Sequence, residues 1–182
     1  PLGGQRSGGS RKRGGTNMSG GELRFELNGT AIAARAGETI IEAAQRHGVE
    51  IPHLCYTPGM RADGNCRACM VEIQGERVLA PACCRAPAPG MEVSSTSARA
   101  VHAQRIVVEM LVADVPERVY KPDSELAYWR RRLGIGKPRF AARVQPAPDL
   151  SHPAMAVNLD ACIQCTRCVR ACRELQVNDV IG

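Results

Sequence analysis

The sequence has few aromatic side chains, which limits the hydrophobic core that it can form. Aromatic residues make up 3% of the 182 positions. No apolar run approaches the roughly 20 residues that a membrane-spanning helix needs. A chain of small units with few large apolar groups usually needs disulfides or a bound metal for stability. The composition therefore predicts a chain without a membrane span that is cross-linked or binds metal.

Nine cysteines are present, and their number and spacing favour metal over disulfides. A secreted disulfide framework would call for an even number of cysteines and a signal peptide. Here the number is odd, and the basic N-terminus is not followed by an apolar segment. We therefore predict a reducing compartment, with the cytoplasm as the location.

The net charge of +6 is concentrated at the N-terminus. Residues 1–21 contain three arginines, one lysine and no acidic residue, so they contribute +4 and leave +2 for residues 22–182. These basic residues lie in a Gly- and Ser-rich stretch without interleaved aromatics. Such a composition is typical of a disordered leader and not of a nucleic-acid site. The sequence predicts disorder over 1–21 and no nucleic-acid partner.

Residues 22–97 have the element order of a small α+β domain. The Asn28-Gly29 pair between two alternating runs is a strong hairpin signal. A helix is predicted over 39–47, and Gly48 stands where a glycine would end it. The predicted strands are 22–27, 30–35, 70–73, 77–79 and 91–93. Hairpin, helix, cysteine loop, hairpin and strand is the order expected of a β-grasp ferredoxin domain.

The rest of the chain is predicted to be a linker followed by a cysteine-rich end. The linker, residues 98–157, is proline-rich and irregular apart from two helices, which are predicted over 97–113 and 124–133. An apolar stripe on the longer helix is interpreted as packing; it comprises Ala103, Ile106, Val107, Met110 and Leu111. Residues 158–182 are then the start of an incomplete 4Fe–4S ferredoxin-type module.

Four cysteines in the first half of the chain follow the pattern C-x10-C-x2-C-x13-C. They are Cys55, Cys66, Cys69 and Cys83. A 2Fe–2S cluster needs four thiolates, and a C-x2-C turn brings two of them together with backbone N–H groups pointing at sulfur. Gly59 and Gly64 let the preceding loop wrap closely around such a cluster. Arg61, Arg67 and Arg85 are placed to offset its negative charge.

Zinc is the alternative occupant of this first motif. Zinc sites usually take two close cysteine pairs, and only one pair is close here, so the spacing favours the cluster. In the adjacent pair Cys83-Cys84 we predict that Cys83 is the ligand and Cys84 a packed neighbour. His53 is interpreted as a loop residue that makes hydrogen bonds, because four cysteines already complete the ligand set.

A second motif near the end of the chain reads C-x2-C-x2-C-x3-C. Its members are Cys162, Cys165, Cys168 and Cys172. In two-cluster ferredoxins the first three cysteines bind one 4Fe–4S cluster and the fourth binds the other. The same division is predicted here, with Cys172 on a second cluster. Both clusters need ligands that the sequence lacks, so we expect the chain to be part of a longer polypeptide.

With its two motifs joined by a helix, the chain resembles the N-terminal region of the complex I large iron–sulfur subunit and its relatives. Among these it most resembles the α-subunit of soluble NAD-dependent formate dehydrogenases. The resemblance covers residues 22–182 and is carried by two stretches, HLCYTPGMRADGNCRACMVEI and SHPAMAVNLDACIQCTRCVRACRELQVNDVIG. Many relatives bind a further cluster through H-x3-C-x2-C-x5-C after the helix. Val115 stands where that histidine would be, so this cluster is expected to be absent.

The resemblance implies an electron relay without a catalytic residue of its own. It implies that the rest of the α-subunit holds a molybdenum or tungsten bis-pterin guanine dinucleotide that oxidises formate. It also implies a partner β-subunit that carries FMN and reduces NAD. An NAD-reducing hydrogenase or a complex I subunit remains the alternative parent enzyme. From another class, a stand-alone ferredoxin-like carrier or a zinc-binding interaction module remains open.

Overall fold

The structure, a computed structural model, describes residues 22–115 and 122–180. The disorder predicted for residues 1–21 lies outside this range. The strands are β1 (Leu23–Leu27), β2 (Thr30–Ala34), β3 (Met70–Ile73), β4 (Ala80–Pro81), β5 (Glu92–Ser94), β6 (Asp149–His152) and β7 (Met155–Val157). The helices are α1 (Ile40–Arg46), α2 (Ala98–Asp114), α3 (Glu125–Arg132) and α4 (Arg167–Arg170), and a π-helical turn (Ala171–Leu175) follows α4.

In the described part of the chain, five strands form a mixed sheet in the order β2-β1-β5-β3-β4. β1 is antiparallel to β2 and parallel to β5, and β3 is antiparallel to both β5 and β4. Asn28 and Gly29 both have positive φ, as the tight turn of the first hairpin requires. Phe25 and Leu27 alternate inward from β1 and share one core with Ile40 of α1. The predicted α+β class is confirmed.

The two ends of α1 explain where the chain leaves the sheet for the first cysteine loop. At the start, the backbone N–H of Thr39 donates to the Glu42 carboxylate at 2.7 Å, which satisfies a free helix donor. At the end, Gly48 has a φ of +73°, a conformation that costs glycine little. The boundaries agree with the helix predicted over 39–47 to within a residue at each end.

The strand predicted over 77–79 is wrong. β4 begins only at Ala80, which pairs with Val71 of β3, and the Val78 side chain is 60% exposed. Val78 therefore does not face the core, although its apolar character suggested a strand. The pairing continues one step further, because the N–H of Ala82 donates to the carbonyl of Cys69 at 2.9 Å. This register places the residues after β4 beside the C-x2-C turn.

The apolar stripe predicted on α2 is only partly right, because Val107 and Leu111 pack against a second core but the fully buried positions of the helix are others. The buried residues of this helix are Ala100, Gln104, Val108, Glu109 and Ala113, whereas Met110 is 51% exposed. Gln104 faces inward because its amide donates to the carbonyls of Met70 and Ser95 at 2.8 and 3.0 Å. Because Gln104 and Glu109 are polar, the apolar pattern of the sequence does not coincide with the buried face of the helix.

Glu109 joins α2 to the segment that follows α3. Its carboxylate accepts three bonds from the Arg139 guanidinium, at 2.9, 3.2 and 2.7 Å, and one from the Arg139 backbone N–H at 2.9 Å. These bonds lower the pKa of Glu109 from 4.5 to about 2. The ionised carboxylate is therefore the form that the folded chain favours.

Acid is expected to weaken this attachment. Because the folded pKa is depressed, the stabilisation is complete above about pH 4.5 and is lost as the pH falls through about 2. We expect Glu109→Gln to unfold at lower urea than the unchanged chain at pH 7, and the difference to shrink towards pH 2. Fluorescence of Trp129, the sole tryptophan, reports the unfolding of the cluster-free chain. Glu76→Gln, at an exposed ion pair, is the control; a difference independent of pH would contradict the assignment.

The second half of the chain contains a helix that was predicted and a hairpin that was not. α3 begins after Ser124, whose hydroxyl accepts from the N–H of Ala127 at 3.2 Å, close to the predicted span of 124–133. β6 and β7 form an antiparallel pair within the stretch predicted to be irregular. The residues of both strands are all exposed. The sequence therefore lacks the alternation of apolar and polar residues that would have predicted these strands. Within the described residues, no helix combines the length and apolar character needed to cross a bilayer.

Candidate metal centre

The first cysteine motif is assembled from three segments of the chain. Cys55 lies in a buried stretch after α1, Cys66 and Cys69 bracket the turn before β3, and Cys83 follows β4. Cys55, Cys69 and Cys83 are at most 1% exposed, and Cys66 is half-buried. The β3–β4 register therefore brings the distant Cys83 beside the C-x2-C turn.

Hydrogen bonds and electrostatic interactions link the cysteines of this motif. The N–H of Cys55 donates to the Cys66 sulfur, and the N–H of Cys66 donates to the Cys55 sulfur, both at 3.4 Å. The Cys83 side chain interacts with those of Cys55 and Cys69, and these interactions raise its pKa. The structure thus brings together all four cysteines predicted from the C-x10-C-x2-C-x13-C spacing.

Shared protons set the charge of this group of sulfurs. The pKa of Cys55 falls to about 2 because the side chains of Cys66 and Cys83 donate to its sulfur. The pKa of Cys69 is lowered mainly by donation from Cys83. The pKa values of Cys66 and Cys83 rise, chiefly through the bond that each makes to Cys55. Metal binding would release the protons that these side chains retain, because thiolates are the metal ligands.

The donor set fits iron held by thiolates. It consists of cysteine sulfur without a carboxylate or imidazole, which is the chemistry of iron–sulfur ligation. Backbone N–H groups point at the sulfurs, and such bonds tune a cluster's potential. Among residues 22–115 and 122–180, no three or more His, Cys, Asp or Glu side chains are arranged to hold a single metal ion.

The loop between Cys55 and Cys66 depends on glycine. Gly59 and Gly64 have φ of +83° and +64°, which side chains rarely adopt. A Cβ at Gly64 would also lie 2.9 Å from the Cys84 sulfur. Cys84 was predicted to be a packed neighbour of Cys83, but it is exposed, with its sulfur 3.5 Å from that of Cys83. The loop therefore closes directly over the Cys83-Cys84 pair.

His53 lies beside the loop as a hydrogen-bonding residue, as expected. Its Nδ1 is 2.8 Å from the carbonyl oxygen of Ile51, and its ring meets the Tyr56 ring edge-on with centroids 5.6 Å apart. These contacts hold the turn that leads into Cys55. The structure gives His53 a supporting role in the loop.

The cysteines of the second motif are less buried. Cys162 and Cys165 are half-buried, Cys168 on α4 is exposed, and Cys172 on the π-helical turn is buried. The N–H of Gln164 donates to the Cys162 sulfur at 3.4 Å. In contrast with the first motif, no hydrogen bond joins two of these four sulfurs in the part of the chain that the structure describes. The 4Fe–4S assignment of these residues stays a prediction.

The two cysteine motifs pack directly against each other, which the sequence did not reveal. Asn65 donates to the carbonyl of Gln164 at 2.7 Å, and the Thr166 hydroxyl donates to the Asp63 carboxylate at 3.1 Å. Arg167 donates to the Tyr56 carbonyl at 3.1 Å and pairs with a glutamate of α3. The signal that sequence reasoning missed was a pair of arginines in the second motif, Arg167 just before Cys168 and Arg170 between Cys168 and Cys172.

The arginines that sequence analysis placed near the cluster are mostly engaged elsewhere. Arg61 and Arg85 form ion pairs with Glu174 and Glu76, and Arg67 is exposed. The buried cation beside the first motif is another residue, Arg170, which is 5% exposed. The buried arginine beside the first motif therefore belongs to the second motif.

Comparison with known proteins supports the assignment of the first domain. Residues 20–98 match a family described as a 2Fe–2S iron–sulfur cluster binding domain. The mitochondrial NADH-ubiquinone oxidoreductase 78 kDa subunit of Candida albicans is 32% identical over 88% of this chain, which spans 23% of that protein. The NADP-reducing hydrogenase subunit HndD of Solidesulfovibrio fructosivorans is 29% identical over 88% of the chain, which spans 29% of it.

A solved structure shows the same architecture. A crystal structure of an NAD+-reducing [NiFe]-hydrogenase in the H2-reduced state contains a chain that is 32% identical, with a TM-score of 0.74. The match covers 82% of this chain and 65% of that one. The chain spans less than a third of the curated relatives described above. This protein therefore contains a 2Fe–2S ferredoxin-type domain, within a region similar to subunits of NADH- and NADP-linked oxidoreductases.

Proposed function

We propose that this chain is an iron–sulfur electron relay in which Cys55, Cys66, Cys69 and Cys83 hold a 2Fe–2S cluster. The observation that carries the proposal is the convergence of these four sulfurs, with backbone N–H groups directed at them. Such a cluster accepts and gives up one electron at a time. The chain's own residues bind it through thiolates and shield it, because three of the four cysteines are almost fully buried.

We further propose that Cys162, Cys165 and Cys168 bind a 4Fe–4S cluster and that Cys172 serves a second one. The spacing supports this, since it is the ferredoxin spacing. The contact between the two motifs supports it too, because a relay needs its centres close together.

For the parent enzyme we propose an NAD-dependent formate dehydrogenase. The resemblance to its α-subunit supports this, as does Val115 at the place of the histidine of the additional cluster. The parent would carry a molybdenum or tungsten pterin in the rest of the α-subunit. A flavin subunit with FMN would reduce NAD, and the enzyme would work in the cytoplasm. The clusters would carry electrons one at a time from the two-electron oxidation of formate to the site where hydride is transferred to NAD.

A second parent enzyme is favoured by a specific observation. The chain shares its fold with part of an NAD+-reducing [NiFe]-hydrogenase at 32% identity. A hydrogenase or a complex I relative would use the same 2Fe–2S domain with a different electron donor. The electron donor that reduces the clusters therefore distinguishes a formate dehydrogenase from a hydrogenase or a complex I relative.

We expect formate alone to reduce the clusters of the natively purified complex under anaerobic conditions. Low-temperature EPR before and after addition should show reduced 2Fe–2S and 4Fe–4S signals. Hydrogen and NADH, added to separate samples, are the matched controls. Reduction by hydrogen or NADH but not by formate would contradict the formate dehydrogenase and keep the relay. Iron and acid-labile sulfide analysis of the same sample tests the cluster itself, since zinc without sulfide would contradict it.

A further inference from the structure

The Arg170 guanidinium is buried where the two cysteine motifs meet. It is 5% exposed and donates to three acceptors. These are the Cys55 carbonyl, the Arg61 carbonyl at 2.5 Å and the Thr166 hydroxyl at 3.2 Å. Two of the three belong to the loop of the first motif, more than 100 positions away in the sequence. Arg170 therefore ties α4 to the backbone of a proposed cluster ligand.

The charge of Arg170 has no anionic partner among the residues that the structure describes. All three acceptors are neutral, although the neighbouring Arg167 pairs with Glu125. A buried charge without a counter-charge is costly, and arginine keeps its proton in proteins. The Thr166 hydroxyl separates the guanidinium from the Asp63 carboxylate, whereas the bond to the Cys55 carbonyl places the guanidinium directly beside the first motif. A thiolate-ligated cluster there would supply the missing negative charge.

We propose that Arg170 is a positioning residue that holds the Cys55 backbone and raises the reduction potential of the 2Fe–2S cluster. The inference rests on the proposed function, since it requires a cluster at the first motif. Reduction adds one electron and forms or breaks no bond, so the cluster becomes more negative. A fixed cation nearby stabilises the reduced form more than the oxidised form. Potential also depends on the hydrogen bonds that orient the ligands, and Arg170 fixes one ligand through its carbonyl.

Redox titration of the natively purified protein, followed by the EPR signal of the 2Fe–2S cluster, tests this proposal. We expect Arg170→Gln to lower the equilibrium constant for one-electron reduction about tenfold, which is a shift of about 59 mV towards negative potential. Arg173→Gln is the matched control, because it removes the same charge from an exposed position three residues along. It should leave the potential of this cluster unchanged.

Arg170→Lys separates charge from position and guards against failure of the glutamine variant to hold the cluster. Lysine keeps the charge but lacks the planar fork that spans several acceptors. We expect a potential close to that of the unchanged protein, with faster hydrogen exchange at the backbone amides of residues 55–61. A lysine variant with unchanged exchange, or a glutamine variant with unchanged potential, would overturn the proposal. Absence of iron and sulfide from the unchanged protein would instead refute the proposed function.

Discussion

Replacement of Cys83 with serine is expected to abolish the 2Fe–2S cluster, whereas replacement of Cys84 is expected to leave it in place. The Cys83 side chain is fully buried and interacts with those of Cys55 and Cys69. The Cys84 sulfur is exposed at the edge of the group, 3.5 Å from that of Cys83. A cluster that loses one of four thiolates is not held by the remaining three. Iron and sulfide content and the EPR signal of the purified variants measure the outcome.

The variants Cys83→Ser and Cys84→Ser control for each other because the two cysteines are adjacent. The two variants carry the same chemical change one residue apart, so general damage from serine would affect both. Loss of the signal from Cys84→Ser and its retention in Cys83→Ser would assign the fourth ligand to Cys84. Equal retention in both would show that one cysteine can replace the other. Either result would contradict our assignment of Cys83 as the sole fourth ligand.

Replacement of Trp129 with alanine should have the largest effect on stability, a loss of about 3–5 kcal/mol in the free energy of unfolding. Trp129 is 5% exposed and packs from α3 into a second core with Leu54, Ala68 and Val108. Leu54 and Ala68 directly precede two of the cysteines of the first motif. The cavity left by the indole would therefore lie beneath both ligand segments. Anaerobic chemical denaturation followed by circular dichroism measures the loss.

Phe140 provides the control for this substitution. Its ring is 41% exposed, so Phe140→Ala should change the free energy of unfolding by less than about 0.5 kcal/mol. We also expect Trp129→Ala to lose iron faster than the unchanged chain when a chelator is added. A tryptophan variant as stable as the phenylalanine variant would show that this second core does not support the cysteine loops.

Sequence reasoning predicted the features that local chemistry determines. The Asn28-Gly29 turn and the ends of α1 depend on residues within a few positions of each other, and all three were recognised. The spacing of the first four cysteines was equally readable, and the fold brings those cysteines together. Each of these signals is a short pattern with one physical explanation.

The features that were missed depend on partners far along the chain. Gln104 and Glu109 interrupt the apolar pattern of α2 because their partners are Met70, Ser95 and Arg139. The true start of β4 depends on which residues reach the core. The contact between the motifs depends on arginines that bind carbonyl oxygens, and carbonyl acceptors carry no sequence signature. Arg170 could therefore not be predicted as a link between the two motifs.

The bond from Arg170 to Cys55 joins residues that are 115 positions apart, and this separation has a consequence during synthesis of the chain. A ribosome that adds about 5–20 residues per second needs roughly 6–23 s to travel from one to the other. All four thiols of the first motif emerge before Arg170, since the last of them is Cys83. For that interval the nascent loop lacks the segment that later closes over it. Cluster insertion can thus begin on an open loop, and arrival of α4 then seals it.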